Sequence, residues 1–288
     1  SAATSASGRL VRSGGGAMRW AKVARPPARG QLSFRMSSVQ PEALDHHEHA
    51  HAAAAGAPVK RAYVQHIFSE IAPRYDLLNR VLSMGIDRAW RRAAIAALGW
   101  ERRPEGTYID LCAGTLDVAA SLSFAPGFRG QVVAADFAEP MLRSGSGKGA
   151  PGRIAPVVAD ALALPVPAAS CDGALVAFGI RNVADLDHSL VEMRRVLRPG
   201  ARFVILELST PTAPLLRSAY LFYFRRILPR IGAVVSGHGT AYRYLPQSVL
   251  HFPEGDVLAA RMRVAGFTNV RWRPLTFGIA ALHVGEIP

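Results

Sequence analysis

The sequence predicts an α/β fold built on a mostly parallel sheet, and three features of the chain carry that prediction. Residues 107–136 have the pattern of a strand, a tight turn, a helix and a second strand. Residues 137–208 continue the alternation of apolar, strand-like runs with helical segments, which favours parallel strands. Residues 270–284 contain two strand-like runs joined by a short link, which predicts one antiparallel strand at the sheet edge.

The first 58 residues are predicted to lie outside that fold. Up to Phe34 they are rich in Ser, Gly, Ala and Arg and contain no acid, and such a composition cannot bury a core. We expect a poorly ordered extension. It is either an organelle transit peptide or, as we favour, sequence translated ahead of a start at Met18 or Met36. Its histidine-rich tract at residues 46–51 is expected to be a solvated tail rather than a metal site.

Residues 59–98 carry apolar residues at helical spacing, which predicts three helices ahead of the first strand. The first helix is marked by Val64, Ile67, Phe68 and Ile71. Pro73 interrupts it, and a second apolar pattern covers residues 77–82. Asp87 is expected to cap the third helix, with Trp90 on its buried face. We expect the three helices to form a cover over the open edge of a ligand cleft.

From the first strand onward, apolar runs alternate with helical patterns. Strands are predicted at residues 108–111, 131–136, 154–159, 173–178 and 202–208. Helices are predicted at residues 139–145, 186–197 and 254–265, with a turn at residues 198–200. Gly266 should close the last helix. Two final strands, at residues 270–274 and 278–284, complete the sheet.

The acids that end the first two strands indicate what the cleft binds. Asp136 closes the second strand, and an acid there can accept both hydroxyls of a ribose. Gly114 and Thr115 form the turn after the first strand, where backbone amides can approach a ligand closely. That turn lacks the glycines of a pyrophosphate cradle, which disfavours a nicotinamide oxidoreductase. Asp110, at the end of the first strand, suits a positively charged group, and the whole pattern fits S-adenosylmethionine.

Composition and charge narrow the classes of partner. The formal net charge of +13 indicates an anionic partner, which is nucleic acid, an acidic membrane surface or an acidic substrate. Nucleic acid ranks low because no recognition motif for it is present. Cys112 and Cys171 do not form a metal-type pair, so we expect no metal site and no disulfide framework. No uncharged run reaches the ~18 residues of a membrane-spanning helix.

Four short motifs then stand in order along the chain. They are Arg-Tyr-Asp-Leu-Leu-Asn at 74–79, Phe-Gly-Ile-Arg-Asn-Val at 178–183, Arg-Pro-Gly at 198–200 and Ala-Tyr-Arg-Tyr-Leu at 241–245. Together with Asp110 and Asp136 they resemble the ubiquinone/menaquinone biosynthesis C-methyltransferases, over about residues 64–286. The resemblance implies a seven-stranded, Rossmann-like class I methyltransferase fold.

The resemblance also implies a reaction. The family uses S-adenosylmethionine to methylate a ring carbon of a prenylated hydroquinone. The ending at residues 274–282 looks more like the menaquinone branch, which implies conversion of demethylmenaquinol to menaquinol. Two alternatives stay open, namely methylation of the benzoquinol of ubiquinone biosynthesis and a non-catalytic scaffold that binds quinone or lipid.

The resemblance assigns the cofactor site residue by residue. The cofactor-binding residues it implies are Asp110, Gly114, Thr115, Asp136, Asp160, Ala161 and Ala177. Ala177 stands where the family often has a serine, so that hydrogen bond is missing. Leu116 stands where a glycine is usual, and leucine is poor at positive φ. We expect the helix to begin one residue early, which would make Leu116 harmless packing.

The same resemblance assigns the substrate side. Arg181, Asn182 and Tyr242 are the candidate catalytic residues, Arg181 as the cation that stabilises a phenolate and Asn182 as the group that orients the hydroxyl. The candidate substrate-binding residues are Tyr75, Phe178 and Tyr244. His238 is a weaker candidate for the proton acceptor. The structural alternatives are a salt bridge from Arg181 to Asp185 or Asp187, and core packing for the tyrosines.

Residues 215–228 are apolar and aromatic, interrupted by Arg217, Arg225 and Arg226. Leu216, Tyr220 and Tyr223 mark one possible face for a prenyl tail, and the arginines suit anionic lipid headgroups. The alternative is an ordinary core helix. These features predict peripheral attachment at the cytoplasmic side of the inner membrane, or an organelle location if the extension is a transit peptide. A homodimer is possible.

Overall fold

The computed structural model describes residues 10–12, 18–20, 60–227 and 239–288. Leu10–Arg12 and Met18–Trp20 pair as two short antiparallel strands, which the sequence did not predict. The rest of the first 58 residues lies outside the described part of the chain, as does His238. The prediction of a poorly ordered extension, with its histidine-rich tract, therefore stays a prediction.

Seven further strands form one sheet. They are β1 (Thr107–Leu111), β2 (Gln131–Asp136), β3 (Ile154–Val158), β4 (Cys171–Ala177), β5 (Leu197–Leu208), β6 (Thr268–Leu275) and β7 (Ala280–Glu286). Their order across the sheet is β3-β2-β1-β4-β5-β7-β6. Strands β1 to β5 are parallel, and β7 is antiparallel to both of its neighbours. The predicted fold class is confirmed.

The sequence predicted an antiparallel pair at one edge of the sheet. The structure adds that β7 is the strand of this pair that runs opposite to β1–β5. The last strand, β7, inserts next to β5, so β6 becomes the outermost strand. Burial explains the order. Strand β7 is buried along almost its whole length, whereas β6 exposes Arg271 and Arg273 and buries only Leu275. A strand that is apolar on both faces belongs inside a sheet.

The predicted turn at residues 198–200 is built into β5 rather than placed before it. Cys171 of β4 pairs with Leu197, and Gly173 pairs with Arg202, so the register shifts between the two pairs. Gly200 has φ +78°, a conformation that favours glycine. The turn is therefore a bulge within a strand that begins earlier than predicted.

Nine helices accompany the sheet in the described part of the chain. They are α1 (Lys60–Ile71), α2 (Tyr75–Leu82), α3 (Asp87–Leu98), α4 (Asp117–Ser123), α5 (Glu139–Ser144), α6 (Leu186–Val196), α7 (Pro214–Phe222), α8 (Gly239–Leu250) and α9 (Gly255–Val264). A 3₁₀ turn, Ala72–Arg74, carries Pro73 between α1 and α2. The three helices predicted ahead of the first strand are present. In the described residues, no helix is long and apolar enough to cross a bilayer.

The cover formed by α1 and α2 packs against the later helices. Val64 and Ile67 of α1 are buried with Tyr220 and Phe224 of the α7 region and Tyr244 of α8. Burying such apolar side chains stabilises the fold by roughly 1.5–3 kcal/mol each. The cover is therefore held by a hydrophobic cluster of its own, as its helical spacing predicted.

Asp87 does not cap α3 as expected. Ile86 holds the N-cap position without a side-chain hydrogen bond, and Asp87 is the first residue of the helix. Its carboxylate accepts a hydrogen bond from Ser83 Oγ at 2.8 Å and lies 3.5 Å from Arg91. An acid in the first turn still favours the positive end of the helix dipole.

Candidate active site

A cleft lies beyond the carboxyl ends of β1, β2 and β4, where the strand order reverses. In open α/β sheets this is where ligands bind. Its lining includes Cys112, Gly114, Asp136, Asp160, Ala161, Ala177, Phe178 and Asn182. The sequence pattern therefore brings together most of the residues assigned to the cofactor.

Asp136 organises the floor of this cleft. Its Oδ2 accepts a hydrogen bond from Gly114 N at 2.8 Å, and its Oδ1 accepts one from Ala138 N at 2.8 Å. Burial raises the pKa of this carboxyl, while the backbone hydrogen bonds act in the opposite direction. Each oxygen keeps a second lone pair. Asp136 can therefore hold the loop at Gly114 and still accept from the hydroxyls of a ribose.

Two non-glycine residues of the cleft adopt left-handed backbone conformations. Cys112 follows β1 with φ 53°, and Phe178 follows β4 with φ 61°. Next to Phe178, a Cβ on Gly179 would lie 2.3 Å from Cys112 Cβ, so only glycine allows the two strand ends to approach this closely. Such backbone strain typically costs ~1–3 kcal/mol per residue and is concentrated at functional sites.

The early helix start expected at Leu116 was wrong, whereas the expectation that its side chain is core packing is confirmed. Its φ is 66°, it holds the N-cap position, and α4 begins only at Asp117, so the helix does not start early. Its side chain is 3% exposed and packs in the core with Trp90 and Leu142. Leucine does not line the cleft. Burial of the side chain offsets the backbone cost at this position.

Asp110 and Thr115 do not line the cleft either. Asp110 lies behind it, 2% exposed, and its Oδ2 accepts a hydrogen bond from Ala119 N of α4 at 2.9 Å. Thr115 is buried, and its Oγ donates to Asp76 of α2. Thr115 therefore ties the loop that carries Gly114 to the cover, and Asp110 holds the first turn of α4.

Asp110 makes the stability of the fold depend on pH. Burial raises the pKa of its carboxyl to about 7, against the opposing effect of the Ala119 hydrogen bond. The unfolded chain releases this proton near a pKa of ~3.9. The free energy of unfolding therefore falls by ~1.4 kcal/mol for each unit by which the pH rises between about 4 and about 7.

Asp110→Asn is expected to remove that dependence. Relative to the unchanged chain, the variant should gain roughly 3 kcal/mol of unfolding free energy as the pH rises from about 5 to about 8. Urea unfolding of both proteins at the two pH values measures the difference. If Asp110→Asn changes the free energy of unfolding by the same amount at both pH values, then this carboxyl is already ionised in the folded chain at about pH 5.

The far side of the cleft contains Asp160 and Ala161, as the resemblance implied. Asp160 Oδ1 accepts from Leu162 N at 3.0 Å, and its Oδ2 lies 3.2 Å from Arg61 of α1. Arg61 also lines the cleft. Ala177, the last residue of β4, also lines the cleft. Arg61 of the cover therefore places a cation at the cleft. The sequence analysis did not identify this residue.

Asn182 also lines this cleft. It is 7% exposed, and its Oδ1 has no hydrogen-bond partner in the described chain. A buried amide oxygen without a partner indicates a ligand that donates to it. Asn182 does not line the larger cavity described below, and its predicted role in orienting the substrate hydroxyl stays a prediction. With Asp136, Gly114 and Asp160 it fits a ligand that has both donor and acceptor groups, such as S-adenosylmethionine.

A second, larger cavity lies beside the cleft. Its volume is about 300 Å³, and aliphatic and aromatic side chains form most of its wall. The lining includes Ile67, Ile71, Trp90, Leu216, Tyr220, Tyr223, Phe224, Tyr244 and Ile279. The predicted face of Leu216, Tyr220 and Tyr223 therefore lines this cavity. Cavities of this size and character suit an apolar organic ligand.

Three aromatic residues lie where the two spaces adjoin. Phe68, Tyr75 and Phe178 line both the cleft and the cavity. Phe68 and Tyr75 meet edge to face with their ring centroids 5.9 Å apart. Tyr75 and Phe178 were predicted as substrate-binding residues, and Phe68 was missed because its helical spacing indicated only a core position. A ligand in the cleft and one in the cavity would meet at these residues.

Arg181 projects into the cavity from the turn after β4. Its side chain is 7% exposed, and its Nη1 pairs with Glu207 Oε1 of β5 at 2.7 Å. Its Nε donates to Ser248 Oγ at 3.3 Å. The suggested salt bridge to Asp185 or Asp187 was wrong. Asp185 caps α6, and Asp187 lies 3.5 Å from Arg261.

Two phenols lie near the Arg181–Glu207 pair. Tyr220 is 6% exposed, Tyr244 is 3% exposed, and neither hydroxyl has a hydrogen-bond partner among the described residues. Burial raises the pKa of Tyr244 to about 12, so its hydroxyl stays protonated and can donate. The side chain of Tyr242 lies outside the described part of the structure, so its predicted role stays a prediction.

Polar contacts tie the cover to both loops of the site. Lys60 Nζ of α1 donates to the carbonyl of Arg181 at 3.0 Å. Asp76 of α2 accepts from Thr115 Oγ and pairs with Lys148, whose Nζ also lies 2.7 Å from Asp117. The position of the cover is thus coupled to the residues that line the cleft.

The comparisons with known proteins come to the same assignment. The model of the ubiE/COQ5 methyltransferase family matches residues 57–286. The demethylmenaquinone methyltransferase of Thermus thermophilus is 49% identical over 227 residues, covering 77% of this chain and 100% of the relative. UbiE, the ubiquinone/menaquinone biosynthesis C-methyltransferase of Geobacter sulfurreducens, is 45% identical over 227 residues, covering 77% of this chain and 88% of the relative.

Solved structures agree on the fold. A S-adenosylmethionine-dependent methyltransferase from Thermotoga maritima, described as a possible histamine N-methyltransferase, superposes with a TM-score of 0.53 at 17% identity, covering 78% of this chain and 100% of that chain. A chain in the complex of the Haloferax volcanii Trm112 methyltransferase activator with a putative methyltransferase gives a TM-score of 0.54 at 17% identity. The match covers 77% of this chain and 97% of that chain. The family and the fold together imply use of S-adenosylmethionine.

Proposed function

This chain belongs to the ubiE/COQ5 methyltransferase family, and we propose that it transfers a methyl group from S-adenosylmethionine to a ring carbon of a prenylated hydroquinone. The most favoured substrate is demethylmenaquinol, because the relatives from Thermus thermophilus and Deinococcus radiodurans, 49% and 48% identical, are demethylmenaquinone methyltransferases. The benzoquinol of ubiquinone biosynthesis is the alternative, since the UbiE relatives carry both pathway names.

One observation carries the proposal. A cleft that presents Asp136 and Asn182 to a ligand adjoins a larger apolar cavity, and Phe68, Tyr75 and Phe178 line both. A methyl donor and an apolar ring must meet at reacting distance, and enclosing both in fixed orientation removes much of the entropic barrier of a bimolecular step.

The cleft supplies groups for the donor. Asp136 would accept from the ribose, Asn182 Oδ1 would accept from a donor group of the ligand, and Gly114 would let the backbone approach. When bound, S-adenosylmethionine supplies an electrophilic methyl group. The protein residues bind it and orient it toward the adjoining cavity.

The cavity supplies groups for the ring. The ring carbon becomes nucleophilic when a quinol hydroxyl, with a pKa near ~10, loses its proton. Arg181 provides the cation that stabilises the resulting phenolate, and the hydroxyl proton passes to water. Once methylated, the ring carbon loses its own hydrogen as a proton and the ring oxygen regains one, which restores the aromatic quinol. Tyr220 and Tyr244, whose hydroxyls have no hydrogen-bond partner in the described part of the chain, would donate to the ring oxygens. Their buried hydroxyls need such partners to offset desolvation.

Calorimetric titration of the whole chain with S-adenosylmethionine separates this proposal from a non-catalytic scaffold. Leu116 was the sole sequence feature in favour of a scaffold, and its side chain lies in the core, away from the cleft. Saturable binding in the presence of a folded protein supports the enzyme. Turnover of demethylated naphthoquinol and benzoquinol at equal concentration then identifies the preferred ring, and absence of turnover with both would reject the proposal.

A surface beside the cavity suits a membrane. Met84 lines the cavity and is 83% exposed, so the cavity opens there. On α7, Leu215 is 86% exposed and Phe222 is 62% exposed, and Arg217 is exposed beside them. Exposed apolar side chains flanked by arginines favour an anionic lipid surface. A prenylated quinol would enter from that surface.

The double variant Leu215→Glu/Phe222→Glu is expected to bind anionic phosphatidylglycerol vesicles about 10-fold or more weakly, because it replaces apolar contacts with charge. Vesicle co-sedimentation measures the loss. Val191→Glu/Val264→Glu is the matched control, since Val191 and Val264 are 54% and 90% exposed on α6 and α9. Equal loss in both variants would show that net charge, and not this surface, governs attachment.

A further inference from the structure

Glu207 is an acid in the otherwise apolar run at residues 203–208 of β5. It lies one residue before the end of β5, between Leu206 and Leu208, and is 1% exposed. A buried carboxylate is costly unless charges and hydrogen bonds compensate it. Its partners therefore indicate why this position is acidic.

Arg181 supplies most of that compensation. Glu207 Oε1 accepts from Arg181 Nη1 at 2.7 Å and from Leu208 N at 2.9 Å. Its Oε2 accepts from Arg181 N at 3.3 Å. The carboxylate thus holds the same residue by its side chain and by its backbone, and it fixes the turn as well as the guanidinium.

The donors of Arg181 can be assigned one by one. A guanidinium has five N–H groups. Nε donates to Ser248 Oγ, and Nη1 donates to Glu207 Oε1 and to the carbonyl of Phe178. Nη2 makes no hydrogen bond to a described residue, and Arg181 lines the cavity. The two N–H groups of Nη2 are therefore left for a ligand.

We propose that Glu207 is a positioning residue that acts through Arg181, holding the guanidinium so that Nη2 faces a ring oxygen of the substrate. This inference rests on the proposed function. Glu207 has no direct part in proton transfer, because its carboxylate is already engaged by Arg181 and by the backbone. It serves the reaction by keeping a buried cation in one orientation before the substrate binds.

Glu207→Gln tests the proposal. Glutamine keeps the shape and can accept one hydrogen bond, but it loses the charge that clamps the guanidinium. We expect kcat to fall by roughly 10-fold to 100-fold, since misplacement of a catalytic group by ~1 Å has effects of that size. Cofactor affinity should stay within about twofold because Glu207 does not line the cleft.

The decisive comparison is a double-mutant cycle for quinol turnover. If Glu207 acts through Arg181, then adding Glu207→Gln to Arg181→Ala changes kcat by less than about twofold. If the double variant instead loses kcat by the product of the two single-variant losses, the proposal is overturned. Glu192→Gln is the matched control, because Glu192 is also buried and pairs with Arg195, away from both the cleft and the cavity.

Stability is measured on every variant by urea unfolding. If Glu207→Gln is too unstable to assay, then Glu207→Asp keeps the charge and retracts the carboxylate by one methylene. That variant should lower kcat with little change in cofactor affinity, and unchanged kcat would overturn the proposal. A wild-type chain that turns over no quinol would refute the proposed function itself, whereas normal wild-type turnover with independent effects would refute only the role of Glu207.

Discussion

Replacing Arg181 with alanine is expected to lower kcat for demethylmenaquinol by ~10²–10³, while the dissociation constant for S-adenosylmethionine changes little. Arg181 lines the apolar cavity and not the cleft, so its loss should leave the cofactor groups in place. Negative charge develops on the ring oxygen as the proton leaves. A fixed cation therefore stabilises the transition state more than the bound quinol.

Lysine at this position should rescue activity only in part. An ammonium carries the charge but lacks the planar fork that bonds Glu207, Phe178 and Ser248 while leaving one edge free. Arg195→Ala is the control, because Arg195 pairs with Glu192 far from the cavity. Comparing kcat with the cofactor affinity measured by calorimetry separates a role of Arg181 in the chemical step from a role in cofactor binding.

The alanine variant also leaves Glu207 buried without its charge partner, which typically costs 3–5 kcal/mol of stability. The double variant Arg181→Ala/Glu207→Gln removes that unpaired charge and should recover part of the stability without recovering turnover. Near-normal turnover in Arg181→Ala, or a loss of cofactor affinity that accounts for the whole effect, would assign Arg181 a structural role only.

Replacing Asp136 with alanine is expected to weaken S-adenosylmethionine binding by ~1–3 kcal/mol, which is about 5-fold to 150-fold in the dissociation constant. The ribose would lose a charged acceptor. The Gly114 loop would also lose the hydrogen bond at 2.8 Å that fixes it. Asp136→Asn retains one acceptor and should be affected less.

Glu139→Gln is the control for Asp136, since Glu139 is an exposed acid three residues later that pairs with Arg143 on α5. Calorimetric titration of the three variants measures the cofactor affinity directly. An Asp136→Ala protein with unchanged affinity would remove this carboxylate from the binding site, whatever its effect on loop stability.

The sequence predicted most of the fold because the relevant signals are local. Apolar runs that end in Asp110 and Asp136 located β1 and β2, and helical spacing located α1. The carboxyl ends of parallel strands meet at one edge of the sheet, so residues after these strands were expected together. The cleft lined by Gly114, Asp136 and Asp160 follows from that rule.

Features that depend on distant contacts were not predictable in the same way. Glu207 is separated from Arg181 by a helix and a strand, and the nearby acids Asp185 and Asp187 were the more obvious partners. An acid within the apolar run of β5 was the one signal that could have identified it. Asn182 follows Arg181 directly, yet the turn directs the two side chains to different spaces.

Left-handed backbone conformation was the other feature that the sequence did not predict. The expectation for Leu116 treated a leucine at positive φ as too costly, but burial of its side chain offsets that cost. Cys112 and Phe178 share the left-handed conformation for reasons of tertiary structure, because the ends of β1 and β4 meet at Gly179. Local propensity carries no information about such contacts.

The measurement that tests the central claim most directly is a single-turnover reaction of the whole chain with S-adenosylmethionine carrying an isotopically labelled methyl group and with demethylmenaquinol, analysed by mass spectrometry. We predict that the label appears on a ring carbon of the quinol, with formation of one S-adenosylhomocysteine per methyl group transferred. Bound cofactor without transfer to the naphthoquinol or to the corresponding benzoquinol would contradict the account.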